Sequence, residues 1–394
     1  MGAPLSTRSA RIDALRGLAV FGILLINMWG FVYGYTALRY GVVDMTATSG
    51  DRLAVFFAAA FAEQKFYPIF AFLFGAGFVL QMRSLEERSG LDEAKAIYRR
   101  RLTWLLVAGV LHGALLWFGD ILTAYALTGF WLLRRAGDAW SGIKQSIRLT
   151  VLVNMALLLL TAFILASVAG MPDYGADTAS EALLANDIYT RGGWIDVTLA
   201  RIKDFRLNIS GFWLFVPRIA LLFLLGVAAV QRGWLTHPEQ HRALWWRVLL
   251  AGVFIALPLN VWFGYEALGW ALEPEGSSRA FHLASLILEV SGPALAAAYI
   301  AVFMLAGERA MAKVAALLAP VGRMALTNYL MQSLACGFLL HAYGLGLGAS
   351  LSRAQLMALW AGIVLTQIPF SRWWMSRHDQ GPMEAIWRRY TYRH

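Results

Sequence analysis

Runs of apolar residues separated by short polar stretches set the pattern of the chain. Ten such runs stand out, at about 15–33, 53–80, 102–118, 121–133, 150–169, 212–230, 248–263, 281–305, 324–341 and 356–374. A helix needs roughly 20 mostly apolar residues to cross a bilayer. Most of the runs approach that length; the fourth is short, and the second is long and interrupted near Pro68. The expected fold class is therefore all-α: a polytopic membrane protein of about ten transmembrane helices. The first run lacks an A-x-A-like cleavage site and continues into GFVYGY, so it reads as a retained helix and not a signal peptide.

Charge orients these runs. Most of the 34 lysines and arginines fall before the first run and in the clusters 83–101, 134–148, 232–247, 309–323 and 372–393. Basic loops resist translocation, so an even number of passes with both termini cytoplasmic is expected. The chain is then one integral domain, 1–394: a five-span half, 1–169, an extracytoplasmic loop, 170–211, and a second five-span half, 212–394, with a cytoplasmic tail. The loop, MPDYGADTASEALLANDIYTRGGWIDVTLARIKDF and its flanks, permits one or two amphipathic helices on the membrane surface. No internal repeat is visible between the halves.

Composition agrees with that setting. With 59% hydrophobic and 15% charged residues and a mean hydropathy of +0.57, the chain is too apolar for a soluble domain. Its net charge of +10 follows from topology; no basic, aromatic-interleaved soluble domain exists to bind nucleic acid. The single cysteine, Cys336, excludes an intrachain disulfide and a cysteine metal site. No metal is expected.

Ionisable residues inside apolar runs must be satisfied within protein or a water-filled cavity, which makes them functional candidates. His112 lies roughly 15 Å into the third run, counted at 1.5 Å per residue, and imidazole suits general-base work near neutral pH. The same letters, GVLHG, place Gly109 and Gly113 four apart, a helix-packing pattern on which a histidine simply bonds a neighbour. On one continuous helix Asp120 would stand about 12 Å from His112. A turn at Gly119 shortens that separation, and Asp120 equally suits the N-cap of the next helix. Tyr125 follows one turn later as a cavity residue or a core aromatic.

Arg16 and Asn27 mark the first run. Arginine suits phosphate and asparagine can hold a carbonyl, whereas an i,i+3 pair with Asp13 is the plainer role for Arg16. Lys65 sits beside the helix-breaking Pro68, with Gly75 and Gly77 permitting close approach, and needs a carboxylate partner or an anion. Arg218 and Glu289 are candidate partners for buried charges, each other included. The segment VGRMALTNYLMQSL carries Arg323, Thr327, Asn328 and Gln332 along part of one helix, either lining a cavity or bonding helices together. The tail GPMEAIWRRYTYRH is basic and aromatic, suited to anionic headgroups or to closing a cytoplasmic opening.

Six segments in order, RIDALRGLAVFGILLIN, KFYPIFAFLFGAGF, RRLTWLLVAGVLHGALLWFGDILTAYALTG, RIALLFLLGVAAVQRGWL, VGRMALTNYLMQS and GPMEAIWRRYTY, resemble the YeiB-like bacterial inner-membrane proteins of the DUF418 family over nearly the whole chain. The opening RG-x-A is similar, more distantly, to membrane acyltransferases of the acyltransferase-3 and heparan-alpha-glucosaminide N-acetyltransferase groups. Where the former carry a histidine after the arginine, this chain has Asn27, as the glucosaminide enzymes do. Leu38 stands near the place of their catalytic histidine.

The likeness implies an acyl group moved from cytoplasmic acyl-CoA or acetyl-CoA to a hydroxyl or amine of a small-molecule, lipid or glycan acceptor. Arg16, Lys65 and Arg323 would bind the phosphates and Asn27 the acyl carbonyl. His112, oriented by Asp120, would be the base, and Tyr125, Asn328, Gln332 and Arg218 would line the substrate cavity. Direct transfer needs no metal and no covalent enzyme intermediate. It does need a cavity joining Arg16 to His112, and two separate pockets would count against it. A proton-relaying transporter and a non-catalytic scaffold are the alternatives; the bilayer is the certain partner, and a homodimer is compatible with the sequence.

Overall fold

The computed structural model describes residues 7–43, 47–168, 174–274 and 279–392, and the described residues are helical throughout with no strand. The order is α1 (Thr7–Tyr33), α2 (Ser49–Phe61), α3 (Phe66–Leu115), α4 (Leu122–Leu133), α5 (Trp140–Val168), α6 (Tyr174–Arg191), α7 (Trp194–Ser210) and α8 (Phe212–Gln231). There follow α9 (Arg242–Ala251), a π turn (Gly252–Ala256), α10 (Leu257–Leu272), α11 (Arg279–Leu305), α12 (Glu308–Arg323), α13 (Ala325–Leu340), α14 (Arg353–Met375) and α15 (Pro382–Thr391). With every backbone group paired inside its own segment, helices are what an apolar chain of this composition can place in lipid.

Among the described residues, seven helices are long and apolar enough to cross a membrane, or eight when α12 and α13, bent by 75° at their junction, count as one span. That count takes residues 49–115 as one helix, although they hold the second and third of the ten expected runs, and it sets aside the 12-residue α4. The second run is split: α2 ends at Phe61, Gln64 adopts a left-handed φ of +59°, and α3 begins at Phe66. The continuous stretch α3 is a hairpin. Gly90 leaves the helix at φ +81°, ψ 165°, and the rings of Phe78 and Tyr98, 20 residues apart, meet edge-to-face with centroids 4.9 Å apart. A straight helix would hold those residues roughly 30 Å apart. The fourth run forms the 12-residue α4, short for a bilayer.

Helix α5 is the most outward-facing span, with 6% of its apolar window buried, so nearly all of that surface is left to lipid. The loop between the halves forms two helices, α6 and α7, tied down at the end of the bundle opposite the basic clusters. Asn186 donates to the Val32 carbonyl (3.0 Å), Arg201 to the Leu115 carbonyl (2.6 Å) and Asn208 to the Phe118 carbonyl (3.0 Å). Tyr189, Val197 and Phe205 face inward, while Leu183, Leu184, Trp194, Ile195 and Leu199 are exposed, giving an apolar outer side suited to the headgroup boundary.

Candidate functional site

The second arm of α3 ends at Leu115, and the short turn through Trp117, Phe118 and Gly119 reverses the chain into α4. That turn brings Asp120 back to His112: Nδ1 of the imidazole stands 2.9 Å from Asp120 Oδ1. The other carboxylate oxygen accepts from the Thr123 backbone N–H and hydroxyl, both at 2.7 Å, which is the capping role at the start of α4. Both readings of Asp120 hold at once. A Cβ on Gly109 would fall 2.6 Å from the Thr123 nitrogen, so the glycine lets the start of α4 lie against α3.

Nε2 of His112 lies 2.8 Å from the hydroxyl of Ser333 on α13. With the carboxylate taking Nδ1–H, Nε2 is left to accept from Ser333. His112, Asp120 and Ser333 are 2%, 2% and 4% exposed, so the row Asp120–His112–Ser333 is buried and satisfied internally. Ser333 adjoins Gln332 on a helix marked as polar, but a serine in an apolar run carries no signal of its own. Only the turn at 116–121 and the packing of α13 against α3 reveal it.

Helix α7 holds this turn. Besides the bonds to Leu115 and Phe118, Asp204 of α7 accepts from the Tyr35 backbone N–H (3.0 Å) and the Tyr189 hydroxyl (2.8 Å). Burial raises the Asp204 carboxyl above its ordinary range despite those bonds. Just beyond α13, burial and then the Arg201 charge push His341 down to about 4, against a bond to the Phe31 carbonyl.

Two cavities flank the row. The inner one, about 380 Å³, opens at the basic end and is lined by Arg16, Arg101, Arg323 and Arg388 with the rings of Tyr98 and Trp387. Helix α15 closes over it: Trp387 donates to the Arg101 carbonyl (2.9 Å), the Arg101 guanidinium lies 3.8 Å over the Trp387 ring, and Glu384 accepts from the Leu326 N–H (2.8 Å) and the Thr327 hydroxyl (2.6 Å). Of the two roles open to the tail, the described part takes the covering one.

The outer cavity, about 770 Å³, is lined by Asn27, Asp120, Arg218 and the break between α2 and α3. Its walls carry two ion pairs, Arg39 with Glu63 (3.0 Å) and Arg218 with Glu289, the partner anticipated for Arg218. The two cavities share Ile23, Ile121 and Tyr329. They are therefore two adjoining pockets and not one cavity joining Arg16 to His112, which counts against acyl transfer; Ile23, Ile121 and Tyr329 border both.

Several sequence expectations change here. Arg16 and Arg323 reach the inner cavity, Arg16 also keeping its 2.9 Å pair with Asp13, but Lys65 does not join them. It is fully buried at the α2–α3 break and its ammonium caps the end of α2 through the Ala59 carbonyl (3.0 Å), so it binds the broken span and not an anion in that cavity. Tyr125 lines the inner cavity and donates to the Tyr67 carbonyl (3.0 Å). Asn328 and Gln332 line neither cavity. Asn328 donates to Ser371 (3.0 Å) and Gln332 to Gln367 (2.8 Å), joining α13 to α14. Nor does His112 face a cavity: both ring nitrogens are engaged, and the member of the pair that does is Asp120.

Comparison with known proteins places this architecture. The family described as "Protein of unknown function (DUF418)" matches residues 229–394. The uncharacterized protein YeiB of Escherichia coli (strain K12) is 32% identical, covering 98% of this chain and 97% of its own. The uncharacterized protein YxaH of Bacillus subtilis (strain 168) is 31% identical, over 97% and 93%. An uncharacterized 39.9 kDa protein from the amylase 3′ region of Bacillus acidopullulyticus is 28% identical over 98% and 95%. No solved structure matches the chain. Similarity of this extent from end to end, with the family match in the second half, makes the chain a multi-pass membrane protein of the DUF418 family.

Proposed function

We propose that the protein is an acyltransferase of the bacterial inner membrane, moving an acyl group from a coenzyme A thioester in the inner cavity to a hydroxyl or amine in the outer one. The observation that carries this reading is the shared wall of Ile23, Ile121 and Tyr329 between the two cavities, with the buried Asp120–His112 pair beside it. Arg16, Arg101, Arg323 and Arg388 supply positive charge for phosphates. Asp120 borders the outer cavity, and its carboxylate takes the acceptor's proton once the acceptor displaces one of the donors that hold it, with His112 behind it steadying the carboxylate. Asn27 contributes a polar contact in the outer cavity.

The test is acetyl-CoA and longer acyl-CoA binding to the protein in lipid nanodiscs, with thiol release measured against hydroxyl and amine acceptors. Replacing Arg101 or Arg323 by Gln should weaken binding about tenfold each, as for one charged hydrogen bond of ~1.5 kcal/mol. Absence of acyl-CoA binding at millimolar concentration sinks the proposal.

A transporter is the second reading. The broken α2–α3 span, with Glu63, Gln64 and Lys65 at its break and ion pairs facing the outer cavity, is the arrangement in which transporters hold substrate near mid-membrane. Substrate-coupled proton uptake in proteoliposomes would favour it.

A further inference from the structure

Tyr329 is the polar member of the wall between the cavities; its partners there, Ile23 and Ile121, are apolar. Its ring packs on His112 with centroids 4.9 Å apart, and the residue is 5% exposed. Its hydroxyl has no hydrogen-bond partner among the described residues. A buried hydroxyl with an unused proton is costly unless a ligand completes it.

Resting on the acyl-transfer reading, we propose that Tyr329 is a catalytic residue whose hydroxyl donates to the thioester carbonyl oxygen and stabilises the oxyanion formed during transfer. It takes the carbonyl-holding role that the sequence suggested for Asn27, which lines the outer cavity alone.

The chemistry balances without further reactants. The acceptor oxygen or nitrogen attacks the carbonyl carbon from the outer side, and its proton passes to the Asp120–His112 pair. The negative charge gathers on the carbonyl oxygen against Tyr329 Oη–H. Collapse re-forms the carbonyl and breaks the C–S bond, the thiolate leaves into the inner cavity, and the proton returns to sulfur. The products are the acylated acceptor and free coenzyme A.

The decisive variant is Tyr329→Phe, which keeps the ring on His112 and removes only the hydroxyl. Loss of one oxyanion donor should lower kcat roughly 100-fold or more, with a far smaller loss of acetyl-CoA affinity. A carbon-13 carbonyl label on a ketone analogue of acetyl-CoA gives an independent reading: its infrared stretch should lie lower in the wild type than in Tyr329→Phe. If that variant folds poorly, 3,5-difluorotyrosine at position 329, a stronger donor of nearly the same shape, should lower the stretch further.

Wild-type kcat in Tyr329→Phe, or one carbonyl frequency in every variant, overturns the assignment while leaving acyl transfer intact. A wild-type protein that binds no acyl-CoA overturns both.

Discussion

Replacing Asp120 separates its structural part from its chemical part. Its two oxygens serve three donors in a site where its side chain and that of His112 are 0% and 1% exposed: the Thr123 N–H, the Thr123 hydroxyl and His112 Nδ1. Asp120→Ala leaves all three without an acceptor. Each unmet buried donor costs ~1–3 kcal/mol, and the Thr123 hydroxyl can turn elsewhere, so the loss should be about 2–6 kcal/mol.

Asp120→Asn behaves differently. Its carbonyl can still accept from Thr123, and its amide can donate to His112 Nδ1 if the imidazole moves its proton to Nε2 and donates to Ser333. Ser333 then turns its proton to the Tyr329 carbonyl, 3.4 Å away. Every group is satisfied, so Asn should cost only ~1 kcal/mol, yet the carboxylate that receives the acceptor's proton is gone. Denaturant unfolding in detergent, followed by the fluorescence of the 16 tryptophans, measures the first effect and acyl transfer the second. Asp120→Ala within about 1 kcal/mol of wild type, or Asn as damaging as Ala, would refute the hydrogen-bond scheme.

Two further outcomes follow from the close packing at Gly75 and from the burial of His341. A Cβ on Gly75 would fall 2.0 Å from the Phe223 carbonyl oxygen, whereas one on Gly77 meets nothing within 4 Å; Gly75→Ala should cost about 1–3 kcal/mol and Gly77→Ala almost nothing, compared by the same unfolding assay. His341 holds its proton less tightly folded than unfolded, so its contribution is complete above the usual histidine range and lost as pH falls from about 6.5 toward 4. Thermal unfolding between those pH values should show that loss, and His341→Gln should flatten it.

The apolar runs by themselves determined an all-helical membrane protein, because the only way to hide a backbone in lipid is to pair it within its own segment. The basic clusters implied its orientation, and the residue types at 16, 112, 120, 218 and 323 drew attention as charges in an apolar setting. What the linear pattern could not supply was direction after a helix ends. Periodicity separates His112 from Asp120 by two turns of helix; the reversal at 116–121, held from outside by Arg201 and Asn208, makes them neighbours and adds Ser333 from 221 residues away.

The same limit explains Lys65, Asn328 and Gln332. Sequence marks each as a polar group needing a partner, and only the tertiary structure shows that the partners are the end of α2 and the side of α14. Tyr329 escaped notice for the opposite reason. An aromatic in an apolar run looks like core, and its distinction, a hydroxyl left over in the wall between two cavities, exists only once α1, α4 and α13 have met.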